Sequence, residues 1–269
     1  MLEASSMELF NGTRALLIGT CRVKRPRFLF TPEIASQIAI LRSHVHYPAE
    51  ILQMLRYLSG EVSFPLEALP LVIDDINNGN IKSIDELFTR REYERQSLER
   101  AEHVVLEVSS LKKLKFTTEG CDPLFANITS VSNLSRAKCK ANFIDLERST
   151  AYLDTIEKTS YCEVDFEADL MQILDRLHGK HVTLVSHFQT KIPGQDKPIA
   201  ERELLGRLLR RVASKRGCGL LDQTEVVGSI GAEKALKDTS HYTEAAEAVM
   251  AKRLTTAIET YSVSNRKCA

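Results

Sequence analysis

Three short, mainly apolar runs decide most of what this chain can fold into. They are Arg14-Ala-Leu-Leu-Ile-Gly19, His103-Val-Val-Leu-Glu-Val-Ser109 and His181-Val-Thr-Leu-Val-Ser186. A strand that does not alternate apolar with polar is buried on both faces, as in a parallel sheet covered by helices. Helical stretches stand between the runs. Pro48 opens one over residues 49–58, which Ser59-Gly60 ends, and further helical pieces fill 65–101. Others cover 163–177 and 201–216, the latter with Leu205, Leu208, Leu209 and Val212 on one face. A short last strand is read at 217–221 and a closing helix at 242–259. Strands alternating with helices imply an α/β fold of three layers, αβα. Residues 20–47 read as irregular, broken by Pro26 and Pro32. Residues 111–162 read as an irregular insertion, with 113–118 as an extra strand and 145–158 as a helix. Without a repeat or linker, 1–269 is read as one domain with a helical excursion at about 48–101.

Composition narrows the function. Lys+Arg and Asp+Glu both total 36, so there is no basic excess of the kind that nucleic-acid or membrane-surface binding needs. No apolar stretch approaches the roughly 20 residues that span a bilayer. The first residues carry Glu3 and Glu8 and no basic leader, so the expected location is cytoplasmic. Cys21, Cys121, Cys139, Cys162, Cys218 and Cys268 form no CxxC pair and read as free thiols.

In open parallel sheets, ligands bind beyond the carboxyl ends of the strands. The first strand here leads into Thr20-Cys21-Arg22, the second into Ser109-Ser110 and the third into His187-Phe188-Gln189. Beyond the last strand and a connecting stretch stands Asp238-Thr239-Ser240-His241. A thiol, hydroxyls, an imidazole and an Asp/His pair are thus expected on one rim. Gly19-Thr20-Cys21 after the first strand resembles the Gly-Asp-Ser block of the SGNH (GDSL) hydrolases. Asp238-x-x-His241 before a C-terminal helix resembles their final Asp-x-x-His block. A Cys in the serine slot is similar to the GSCFA branch and to cysteine-type acetyltransferases of capsular polysaccharide synthesis. The resemblance implies a flavodoxin-like parallel sheet of the SGNH-hydrolase type. It also implies an acyl hydrolase or O-acyltransferase acting on a carbohydrate or other small-molecule hydroxyl ester. Coenzyme A thioester is the candidate donor, with no other cofactor. The family's Gly-x-Asn-Asp stretch has no counterpart, because Glu107-Val-Ser-Ser110 stands there.

Residue by residue, acyl transfer needs a nucleophile, a base within reach and a group orienting the base. Cys21, His241 and Asp238 fill those roles. The three-residue spacing puts Asp238 and His241 on one helical turn, and a thiol beside His⁺ drops below its usual pKa of about 8.5. Backbone N–H groups, Thr20, Ser109 and Ser110 are candidate oxyanion donors, and His187, His44 and His46 candidate substrate contacts. Glu107 inside an apolar strand is costly unless paired, so it is expected in a buried hydrogen-bonded contact or tuning the site. Metal ligands are assigned to none of these residues, since no HExxH occurs. Two rival readings are a non-catalytic binding or scaffold protein and a metal-dependent hydrolase using His44, His46 and His187.

Overall fold

The computed structural model describes residues 14–118, 122–136, 140, 143–189, 199–238 and 240–266. In chain order these form β1 (Ala15–Ile18), α1 (Cys21–Lys24), β2 (Ile38–Ile40), α2 (Pro48–Leu58), α3 (Ile84–Arg100), β3 (His103–Glu107), β4 (Lys112–Phe116), β5 (Leu124–Phe125) and α4 (Ile128–Ser135). Then come β6 (Glu157–Ser160), α5 (Glu163–Arg176), β7 (His181–Ser186), α6 (Ala200–Arg216), β8 (Gly219–Asp222), α7 (Gln223–Ile230) and α8 (Glu244–Arg266), with shorter helical turns between. No described helix is long and apolar enough to cross a membrane. The chain divides into two compact units. One takes Met1–Leu41, Ser97–Ser110 and Arg176–Ala269; the other takes Arg42–Gln96 and Leu111–Asp175.

The first unit is a five-stranded parallel sheet in the order β2-β1-β3-β7-β8. The three apolar runs are its three central strands, with β1 and β3 buried throughout. Successive side chains point to opposite faces. On one face Leu17, Val105, Val185 and Leu221 join Val226 and Val227 of α7 and Ala246, Met250, Leu254 and Ile258 of α8 in one core cluster. Those four α8 residues recur at four-residue steps, one stripe of a helix. Helix α6 packs on β7 and β8 through the expected stripe, Leu205, Leu208, Leu209 and Val212, at most 2% exposed. None of these belongs to the first cluster, so helices flank both faces.

Two readings of this unit change. The stretch read as irregular contains β2, whose three residues pair in parallel with β1. After β8, α7 replaces an expected connection; Asp222 caps it by accepting from the Thr224 N–H at 2.9 Å.

The second unit holds an antiparallel sheet in the order β5-β4-β6. The expected strand at 113–118 is β4. The helix expected over 145–158 stops at Ala151, and Glu157–Ser160 instead pairs with β4 as an edge strand. Gln53 of α2 closes the short β5, its amide donating to the Phe125 carbonyl (2.9 Å) and accepting from the Phe125 N–H (2.8 Å). Tyr47, fully buried, donates its hydroxyl to the Ala126 carbonyl at 2.7 Å.

Candidate active site

β1 ends at Ile18, and the chain turns through Gly19 so that Thr20 stands at the N-cap position of α1, without a side-chain capping bond, and Cys21 is its first residue. What fixes this turn is a buried carboxylate. Glu107, at the carboxyl end of β3, is 0% exposed and accepts four hydrogen bonds. Its Oε2 takes the Thr20 N–H (2.7 Å) and the Thr20 hydroxyl (2.6 Å). Its Oε1 takes Arg22 Nε (2.8 Å) and Gln223 Nε2 (3.0 Å). An anion in the interior is tolerated only when paired and fully hydrogen-bonded, and Glu107 meets both conditions.

The second half of the site is a loop between two helical segments. The bridge Leu236↔Tyr242 and the Lys237 N–H to His241 carbonyl bond (2.9 Å) close it. Asp238 and His241 therefore meet across a tight loop rather than on the helical turn that their spacing suggests. Asp238 Oδ2 lies 2.7 Å from His241 Nδ1, while Oδ1 accepts the N–H groups of Ser240 (2.7 Å) and His241 (2.9 Å). This arrangement orients the ring and leaves Nε2 facing away from the carboxylate. The two turns are joined directly: Arg22, next to Cys21, donates Nη1 to the Ser240 carbonyl, next to His241, at 2.9 Å.

Electrostatics correct one expectation. Burial pushes the Cys21 thiol above its ordinary pKa; Arg22, Arg25 and Lys24 pull it down, and Glu107 pushes it up. The thiol thus stands above its ordinary value rather than below it. Burial also pushes the Glu107 carboxyl up, but Arg22 and the Thr20 hydrogen bonds outweigh it and hold the group below the ordinary carboxylate range. Asp238 is likewise held low, because the bonds from His241 and Ser240 outweigh its desolvation.

The Glu107 shift has a measurable consequence. A carboxyl whose folded pKa is depressed contributes stability above its unfolded value, about 4.3, and loses it as pH falls through the folded value. The gap in thermal midpoint between wild type and Glu107→Gln should be full at pH 6–7 and narrow below about pH 4. A gap constant from pH 7 to pH 3 would contradict an ionised Glu107.

The remaining candidates fall in different places. Thr20 is spent on Glu107 through both its N–H and its hydroxyl, which removes it from the oxyanion donors. Ser109 and Ser110 follow β3, half-buried, in the same unit as Cys21. His187, after β7, is 4% exposed with its ring edge-on to Phe188, centroids 4.3 Å apart. His44 and His46 belong to the second unit, where each ring meets a carboxylate. His44 Nδ1 lies 2.6 Å from Asp74 Oδ2, and His46 Nδ1 3.5 Å from Glu50 Oε2. No cluster of three metal-ligating side chains occurs among the described residues. Sequence reasoning misses Arg22, Gln223 and Tyr242; the one signal pointing at them is a glutamate inside an apolar strand.

A sequence model of the family described as the TviD N-terminal domain matches residues 13–121 and 132–257. Among solved structures, a mutant of Axe2, an acetyl-xylooligosaccharide esterase from Geobacillus stearothermophilus, is 13% identical at a TM-score of 0.42, covering 92% of this chain and 94% of that one. LAE5, an alpha/beta hydrolase enzyme from the metagenome of Lake Arreo, Spain, is 13% identical at a TM-score of 0.40, covering 92% of this chain and 95% of that one. No curated protein matches the chain.

Proposed function

This chain belongs to the TviD N-terminal domain family, and we propose that it is an acyl-transfer enzyme working through a thioester on Cys21. The observation carrying this reading is the direct tie between the two turns. Arg22 Nη1 on the Ser240 carbonyl brings the segment bearing a thiol beside the segment bearing a carboxylate-oriented imidazole. A nucleophile, a base and an orienting carboxylate are the parts that acyl transfer requires.

Because burial keeps Cys21 as a thiol at rest, its proton leaves during attack rather than before it. The Cys21 Sγ–carbon bond forms as His241 Nε2 takes the thiol proton, and Asp238 stabilises the resulting imidazolium. Collapse of the tetrahedral adduct breaks the bond to the leaving group, which takes that proton and departs. An acceptor hydroxyl, or water, then gives its proton to His241 and attacks the thioester. Collapse of this second tetrahedral adduct breaks the Cys21 Sγ–carbon bond and releases the ester or free acid, and the departing thiolate takes the proton back from His241, which closes the cycle. With Thr20 committed to Glu107, the oxyanion falls to the Cys21 N–H and to Ser109. Coenzyme A thioesters are the donor class we favour and a carbohydrate hydroxyl the acceptor.

Incubation with an acyl-CoA or an activated acyl ester, without acceptor, should add one acyl mass to the intact protein. Peptide mapping should place it on Cys21, and hydroxylamine should remove it. Labelling that survives in Cys21→Ala would sink the assignment. The rival reading, a scaffold that kept the fold, is favoured by one observation: burial raises the Cys21 thiol instead of lowering it. It expects no adduct from any donor.

A further inference from the structure

One buried group of the first unit with four hydrogen bonds is not used by the acyl-transfer steps. Glu107 touches no reacting atom, yet its hydrogen bonds reach both neighbours of the nucleophile and both neighbours of the base. On the nucleophile side it holds Thr20 through two bonds and Arg22 through one, the residues on either side of Cys21. On the base side it reaches the residues flanking His241 through one intervening side chain each. Arg22 carries the contact to the Ser240 carbonyl at 2.9 Å. Gln223 carries it to Tyr242, whose hydroxyl donates to Gln223 Oε1 at 2.7 Å. Arg22, Glu107, Gln223 and Tyr242 are at most 5% exposed, so water cannot readily replace a lost partner.

We propose that Glu107 is a positioning residue that sets the registration of Cys21 against His241, through the Arg22–Ser240 branch and the Gln223–Tyr242 branch; this rests on the acyl-transfer reading above. The geometry gives the reason for a carboxylate. All four partners are donors, two on each oxygen, so only an acceptor at both positions satisfies them. A glutamine presents an NH₂ to one of the two pairs and breaks that pair whichever way it faces. The arginine is equally specific. A planar fork can donate Nε to Glu107 and Nη1 to Ser240 at once, which a lysine ammonium cannot reproduce. Registration of this kind matters because a misplacement of about 1 Å between reacting groups costs on the order of 10²-fold in rate.

The test compares Tyr242→Phe, Glu107→Gln and His241→Ala with the wild type. The first removes one hydroxyl and keeps the ring in the core cluster, so it reports on the branch even if the buried Glu107→Gln protein fails to fold. Each is assayed for first-turnover acylation by an activated acetyl ester across pH 5–10, with kcat and KM. The charges acting on Cys21 are Arg22, Arg25, Lys24 and Glu107, and Arg25 is itself paired with Glu247 of α8 at 3.2 Å. None of these is altered in Tyr242→Phe, so its profile isolates position from charge.

The wild-type acylation rate should exceed that of His241→Ala throughout this range, and by most at neutral pH. His241→Ala should be slow and keep climbing into the range where a thiol ionises. Tyr242→Phe is expected to lose roughly 10-fold in kcat and Glu107→Gln roughly 10²-fold, both with KM within about two-fold and a profile displaced toward that of His241→Ala. A purely structural role would lower thermal midpoints and leave the profile of the remaining folded enzyme unchanged. Wild-type rates and profile in Tyr242→Phe and in folded Glu107→Gln, with His241→Ala impaired, would overturn the positioning role and leave the acyl-transfer reading standing. An unimpaired His241→Ala would overturn both.

Discussion

Replacing Cys21 with alanine should lower turnover by roughly 10³-fold or more, because members of a nucleophile–base unit act together. His241→Ala alone should cost on the order of 10²–10⁴-fold. The double variant should fall little below the worse single one, since a nucleophile without its base has already lost its advantage. Stability should hardly respond to either change. Cys21 is only partly buried and His241 is about half exposed, so neither truncation opens a large cavity. A stability loss of about 1 kcal/mol or less is expected for each. Ester hydrolysis and thermal midpoints on the same four proteins separate catalysis from packing. A destabilised but fully active Cys21→Ala protein would remove the thiol from the mechanism.

How much of this structure is legible in the sequence depends on how local the causes are. β1, β3 and β7 are readable because a mainly apolar run without alternation has few other uses, and the α6 stripe because Leu205, Leu208, Leu209 and Val212 share one face. β2 is not: Ile38–Ile40 is three residues long and sits at the sheet edge, too short for a periodic signal. β6 is hidden for the opposite reason. Glu157-Lys-Thr-Ser160 is exposed at every position, so its strand conformation comes from pairing with β4 and not from any apolar face. The start of α7 does carry a local signal, Asp222 three residues before Glu225, the pattern of a capped helix.

The site divides in the same way. Cys21, Asp238 and His241 are singled out as candidates from their places after strand ends, without knowledge of any contact. The tie between them is out of reach, because Arg22 and Ser240 are 218 residues apart and neither is a defining residue of a motif. Glu107 lies between these cases. A carboxylate in an apolar strand announces that partners must exist, but only the fold names them as Thr20, Arg22 and Gln223. The thiol's pKa cannot be judged from the sequence, because the spacing of Asp238 and His241 says nothing about how deeply Cys21 is buried.

Gly19→Ala should be among the most damaging single substitutions in the first unit. A Cβ at Gly19 would stand 2.5 Å from Glu107 Cβ and 2.8 Å from its Oε2, closer than real Cβ contacts come. Retreat is not open to Glu107, since four hydrogen bonds hold its carboxylate and β3 holds its backbone between β1 and β7. The turn would have to move instead. Its φ of +152° is already a conformation that side chains resist, so backbone strain adds to overlap. Each effect costs about 1–3 kcal/mol, and together about 3 kcal/mol or more is expected. In a chain of this size that is a midpoint drop of roughly 6–12 °C. Gly217→Ala supplies the control. It too has positive φ, +65°, but nothing lies within 4 Å of its would-be Cβ, so only strain of about 1 kcal/mol applies. Any folded Gly19→Ala protein should also be slow, because displacing Thr20 moves Cys21 with it. Equal midpoints for the two variants, measured side by side, would show that the β1 turn has room to spare against Glu107 and that the two are not closely packed.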